Sequence, residues 1–266
     1  MKFVDDLTLV ESINMKKDLV DEDRVQSYPL EFHRRKGLKL DESKCLTNNK
    51  LKEIKEYADQ CEMKINADKT KVIFFNKSQK YDFMPEIKVI PTENIEVVHE
   101  VKLLGIIISE DLKWYEHIAY LRKKGFASLW ALRRLKRLGA STNVLLDLYE
   151  KQVRSIIEYA SPVWGSMLSN DDSDELERVQ KAALTIIFGH CSHEEAIKKY
   201  KIKSLSERRV NVLKKFAIKT AKHPVFSSWY QKREAETKTR HPKIYVEVSA
   251  RCERWRMSPI PEMTRY

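Results

Sequence analysis

The chain has 266 residues, 42% of them hydrophobic and 33% charged, with a formal net charge of +11. Such a composition is globular and excludes a disordered chain, and the length leaves room for two packed units. Six glycines and eight prolines are few breakers, which favours long helices.

The charge is unevenly placed. Residues 1–110 hold 19 Lys and Arg against 21 Asp and Glu, whereas residues 111–266 hold 31 against 18. The basic surplus therefore lies wholly in the second part, which points to a polyanionic partner, with a solvated basic surface as the plain alternative. Cys45, Cys61, Cys191 and Cys252 are widely spaced and fit neither a disulfide framework nor a paired-cysteine zinc site, so reduced thiols are expected. His190-Cys191-Ser192-His193 reads as a polar helix junction, because no second ligand pair stands at zinc-finger spacing. Asp5 and Asp6 interrupt any leader-like apolar run, and the run from Leu103 to Ile108 is too short to span a bilayer. A soluble intracellular chain, nuclear or cytoplasmic, is the expectation.

In chain order, Lys2 to Val10 reads as a β-hairpin with Asp5 and Asp6 at its tip between two apolar runs. Two adjacent carboxylates can recruit a hard cation such as Mg²⁺. Residues 14–49, broken by Pro29 and Gly37, read as a long loop or insertion. Leu51, Ile54, Tyr57, Ala58 and Cys61 recur at steps of three and four, predicting an amphipathic helix over 50–62. A turn around Asn66 to Lys69 leads into a strand ending near Phe75. Strands over Ile87 to Ile90, Ile95 to Val98 and Val101 to Ser109 would close a small antiparallel sheet.

Helices follow. Ile118, Leu121, Leu129, Leu132, Leu135 and Leu138 mark one face of the first, Arg122, Lys123, Lys124, Arg133, Arg134, Lys136 and Arg137 fill much of the rest, and Gly139 ends it. Ser141 or Thr142 caps a second helix, with Leu145, Leu148, Tyr149, Val153, Ile156 and Ala160 inward, before Pro162 stops it. Asp172 with Glu175 resembles a capping box for a helix with Leu176, Val179, Ala183 and Ile186 on one side and Gly189 at its end. Ser192 with Glu195 would cap a short helix. Ser206 starts the last, with Val210, Leu213, Ala217 and Thr220 inward, and residues 223–266 read as a loosely packed tail.

Several blocks agree in order with one family. Phe3-Val4-Asp5-Asp6 resembles the catalytic hairpin of reverse transcriptases, and Met63-Lys64-Ile65-Asn66 through Lys69-Thr70-Lys71 is similar to the segment that follows it in non-LTR retrotransposon polymerases. Lys102-Leu103-Leu104-Gly105-Ile106, with Leu112-Lys113-Trp114 and His117-Ile118, resembles the turn and exit into the thumb. Tyr159-Ala160-Ser161-Pro162-Val163-Trp164-Gly165, Val179-Gln180-Lys181-Ala182 and Glu207-Arg208-Arg209 also resemble that lineage. The resemblance covers most of residues 1–225.

It implies an α+β fold: a small antiparallel palm-like sheet with one or two helices over 1–110, then a basic, mostly helical thumb-like bundle over 111–222. It implies RNA-templated nucleotidyl transfer in which two metal ions clamp the attacking and leaving oxygens. Asp5 would be a Mg²⁺ ligand and Asp6 an outer one. Lys69 would lie near the incoming triphosphate, or else is a solvated turn lysine. Arg122, Lys123, Lys124, Arg133, Arg134 and Arg137 would track the phosphates of an RNA or RNA–DNA template–primer. Trp130 and Tyr120 could add stacking but read first as core or rim. The family also needs an upstream aspartate strand and fingers, which the residue before Lys2 cannot hold. The expectation is a fragment inactive alone, with Mg²⁺ weakly held and a deoxynucleoside triphosphate bound only if an upstream half is present. The alternatives are a non-enzymatic basic module binding RNA or an acidic protein, and a non-functional relic.

Overall fold

The computed structural model describes residues 19–20, 39–40, 46–66, 69–73, 75, 88–90, 93–94, 96–189, 200, 202–232, 245–246 and 256–265. The fold is α+β, and the chain divides into two units, Met1–Lys113 and Trp114–Tyr266.

In the first unit the strands pair two by two. β1 (Leu19–Val20) lies antiparallel to β2 (Lys39–Leu40), and α1 spans Leu46–Gln60. The expected insertion over 14–49 thus holds a strand pair and the first turn of α1. Along α1, Leu51, Ile54 and Ala58 turn inward as the spacing predicts, but Tyr57 is exposed. β3 (Lys71–Val72) pairs in parallel with β6 (Glu96–Val97), and Lys71 bridges to Glu96. β4 (Lys88–Ile90) lies antiparallel to β5 (Glu93–Asn94). The purely antiparallel sheet is therefore corrected: the long connection after β3 allows a parallel return, which needs a dozen residues or more.

The single strand expected over Val101 to Ser109 is two strands. β7 (Glu100–Leu103) and β8 (Ile106–Ser109) form a hairpin, with Leu103 opposite Ile106 and Glu100 opposite Ser109. Leu104 and Gly105 make the turn with φ of 47° and 85°. Two positive φ angles are what the twist of a two-residue hairpin requires. Glycine supplies one freely, and Leu104 takes the other with its side chain in solvent.

The second unit is a helical bundle. α2 (Tyr115–Arg137) buries Ile118, Leu121, Gly125, Leu129 and Leu132, a stripe at helical period. α3 (Thr142–Leu148) runs into a π-helical turn (Tyr149–Arg154) and then α4 (Ser155–Ile157). Leu145, Tyr149, Val153 and Ile157 are all buried at strict steps of four. In a regular α-helix each such step drifts by about 40° off one face. The wider π turn takes up that drift, so all four point at the same core.

Ala160, at φ 51°, breaks this helix two residues before Pro162, and Pro162 instead sits in the first turn of α5 (Ser161–Trp164). That corrects the expectation that Pro162 is the stop.

α6 spans Asn170–Phe188, and α7 spans Leu205–Ala221. The α6 cap is Ser169, whose Oγ accepts from the Asp172 N–H at 3.1 Å, so the expected cap at Asp172 shifts three residues back. Likewise Ser204, not Ser206, caps α7 by accepting from the Glu207 N–H at 3.1 Å. The inward line of α7 is Arg209, Leu213, Ala217 and Thr220, with Val210 outside.

Arg122 reaches Glu175, Gly125 faces Val179 and Lys136 reaches Ile187, so α2 and α6 run parallel. Ser173, Glu177 and Gln180 meet Arg209, Leu205 and Lys203, so α6 and α7 run antiparallel. The α2–α6 seam closes at Gly125, where an added Cβ would stand 2.9 Å from Val179 Cγ1 and 3.0 Å from Ile157 Cγ2. Overpacking of this kind costs about 1–3 kcal/mol, against about 1 kcal/mol gained in helix propensity. Gly125→Ala should therefore lower stability by about 1 kcal/mol net, read as an earlier urea midpoint of the helical circular dichroism signal.

The loosely packed tail over 223–266 is corrected in part. Tyr230 and Met263, the latter on the short helix α8 (Pro259–Met263), are buried against Leu213 and Ala217, with Tyr245 beside them. The Tyr230 hydroxyl lies 2.5 Å from Thr220 Oγ1. The Asp5–Asp6 hairpin, the His190 to His193 junction and the Ser192–Glu195 cap lie outside the described residues. Among the described residues no helix is long and apolar enough to cross a membrane.

Candidate nucleic-acid interface

α2 carries seven cations and a single acid, Glu116. At about 100° per residue, Lys123, Phe126, Trp130, Arg133, Arg134 and Arg137 fall within an arc of about 100° turned away from the buried stripe. All six are exposed, Trp130 by 59% and Phe126 by 39%. The structure thus brings together four of the six cations expected to meet phosphates.

The other two go elsewhere. Arg122 Nη1 donates to Glu175 Oε2 on α6 at 2.7 Å, which ties its guanidinium to a carboxylate it shares with Arg178. Lys124 lies about 80° further round the helix than Arg134, its Nζ 4.9 Å from the centre of the Tyr120 ring. Lys136, at the buried edge, donates to the Ile187 carbonyl at 2.5 Å. The parallel helices place their electronegative C-termini together, and a cation there satisfies one of the last carbonyls of α6.

Of the two aromatics expected at the core or rim, Tyr120 is half-buried and stacks on His117, whereas Trp130 is exposed. Trp130 is neither core nor rim, because Leu129 and Leu132 already fill the inner face. The Arg134 guanidinium sits 5.5 Å from the Trp130 ring centre, one turn on. A cation over an indole face is an attractive arrangement, and Arg is the usual partner. The signal was available: Phe126, Trp130, Arg133, Arg134 and Arg137 share a helical phase that the core stripe leaves free.

Behind this face a buried polar network fixes the bundle. The Tyr149 hydroxyl, on the π turn, donates to Gln180 Oε1 at 2.5 Å, and Gln180 Nε2 donates to Glu177 Oε1 at 2.8 Å. Glu177 Oε2 accepts the Leu205 N–H at 3.0 Å at the head of α7. Burial holds the Glu177 carboxyl above the usual range, opposed by that N–H and by Arg209, while burial pushes the Arg209 guanidinium down. Arg209 Nη2 donates to Ser173 Oγ at 2.5 Å, and Arg208 grips Glu158 through two bonds at 2.5 and 2.9 Å. The Glu158 hydrogen bonds raise the Arg208 pKa further. These residues, Gln180, Arg208 and Arg209 among them, lock α3–α4, α6 and α7 together.

Lys69 is exposed in a turn in which its N–H donates to Asn66 Oδ1 at 3.2 Å and Thr70 Oγ1 donates to the Asn66 carbonyl at 2.8 Å. That is the turn expected around Asn66, leading into β3. Asp5 and Asp6, the expected metal ligands, lie outside the described residues. Among the described residues no three His, Cys, Asp or Glu side chains converge as a metal site would require. No family profile, curated protein or solved structure matches this chain.

Proposed function

We propose that the helical unit binds nucleic acid through the exposed face of α2, in a chain that resembles the palm-and-thumb portion of a non-LTR retrotransposon reverse transcriptase. The observation that supports this most is the clustering of Lys123, Arg133, Arg134 and Arg137 on one side of α2. Among the described residues none of the four is ion-paired. Cations held this way displace the counterions condensed on nucleic-acid phosphates, which gives binding without sequence readout. The RNA or RNA–DNA template–primer of the resemblance is the partner that fits this charge. Polymerisation is a separate matter, resting on Asp5, Asp6 and Mg²⁺, and the binding proposal does not depend on it.

The test is anisotropy of a labelled RNA–DNA hybrid across a salt series. Affinity should fall steeply with salt, with a slope of about −0.9 per phosphate engaged on a duplex. Replacing Lys123, Arg133, Arg134 and Arg137 together with Gln should cut affinity by roughly a hundredfold and flatten the slope by about three to four. Arg122→Gln, already paired to Glu175, should change it little. Absence of binding at low salt, or a slope indifferent to the four substitutions, would remove the proposal.

A further inference from the structure

We infer that the α2 face prefers single-stranded nucleic acid, with an unstacked base laid on the Trp130 ring between the phosphate-binding cations; this deepens the binding reading above and rests on it. Phosphate tracking alone does not account for the aromatics. Phe126 and Trp130 stand one turn apart, about 6 Å along the helix, on the same side as the cations. Their neighbours Ala127 and Ala131 end at Cβ and cover little of the Trp130 side chain, which is 59% exposed. Arg134 lies over the indole 5.5 Å from its centre, so a base stacked on the ring would join an arrangement already begun by the guanidinium.

Duplex geometry offers such a ring nothing. Inside a duplex both faces of each base are covered by its neighbours, and a helix lying along the backbone meets only phosphates and sugars. An unpaired strand presents π-faces, and every base has one, so the contact tolerates any sequence. The charges suit the same ligand. Lys123 to Arg137 run about 21 Å along α2, with Trp130 at the middle of the track. A stacking platform flanked by cations is the combination that single strands require.

The test uses the full chain and two labelled probes, an oligo-dT strand and a blunt duplex of the same length, titrated by anisotropy at about 50 mM salt. The unsubstituted protein should bind oligo-dT more tightly than the duplex. Trp130→Ala should weaken oligo-dT binding roughly tenfold, with duplex binding and both salt slopes unchanged. Trp130→Phe should keep most of the affinity, because the stacking face survives. Trp130 lies outside the buried stripe of α2, so the helical circular dichroism signal should be the same in all three proteins. Equal weakening of both probes by Trp130→Ala, or of neither, overturns the inference while leaving phosphate binding intact, as does a duplex bound as tightly as the strand. Binding to neither probe would instead bring down the underlying reading.

Discussion

Trp164→Ala should lower the unfolding free energy of the helical unit by about 3–5 kcal/mol, the cost of emptying a large buried aromatic site. Trp164 is fully buried, its Nε1–H donates to the Tyr159 carbonyl at 3.0 Å, and its ring meets that of His117 at 5.6 Å between centres. The hydrogen bond holds the left-handed break at Ala160 in place, so the substitution removes both packing and the partner of a carbonyl at a strained corner. Urea unfolding followed at 222 nm measures it. Trp164→Phe should cost roughly half as much, since most of the aromatic volume stays. A Trp164→Ala protein within about 1 kcal/mol of the original would contradict this account of the core.

Acid should destabilise the same region. His117 is fully buried among Trp114, Tyr120 and Trp164, and burial lowers its pKa from 6.5 to about 4. Well above pH 6.5 the ring is neutral in both folded and unfolded chains, so its titration contributes nothing there. Between 6.5 and 4 the unfolded chain takes up a proton that the folded one refuses, so stability falls as pH falls through that window. The full loss is about 3 kcal/mol. His117→Phe should remove this limb of the stability curve, leaving the carboxylate titrations at lower pH. Urea midpoints between pH 7 and pH 4 read it directly, and an unchanged acid limb in the substituted protein would show that another group carries it.

What sequence could and could not reveal follows from how each feature is encoded. Ile118, Leu121, Leu129 and Leu132 were legible as a core stripe because burial there is repeated at the helical period. Gly139 and Gly189 were legible as stops, since both take the positive φ that glycine permits. The caps slipped by two or three residues because Ser169, Asp172, Ser204 and Ser206 are all competent, and only the backbone decides which N–H groups they face. The β7–β8 turn was hidden inside an unbroken apolar run, its first corner made by a leucine, a residue that seldom adopts positive φ. The candidate site was half legible. Its charges were visible and helical phase already sets Lys124 apart, but the pairing of Arg122 depended on Glu175, which lies 53 residues away in sequence.

The parallel run of α2 and α6 has a consequence for how this unit assembles. A parallel pair cannot be joined by a tight turn, so α3, the π turn and α4 must carry the chain back along α2 before α6 can begin. The contacts between Arg122 and Glu175 and between Lys136 and Ile187 each close a loop of about fifty residues. The return that brings Ile157 to Gly125 closes a shorter loop, so it carries the lower entropic cost of closure. The cation-bearing face of α2 therefore depends for its backing on α6, a helix distant in sequence. A chain cut before Asn170 would leave that face on a helix whose inner seam is still open to water.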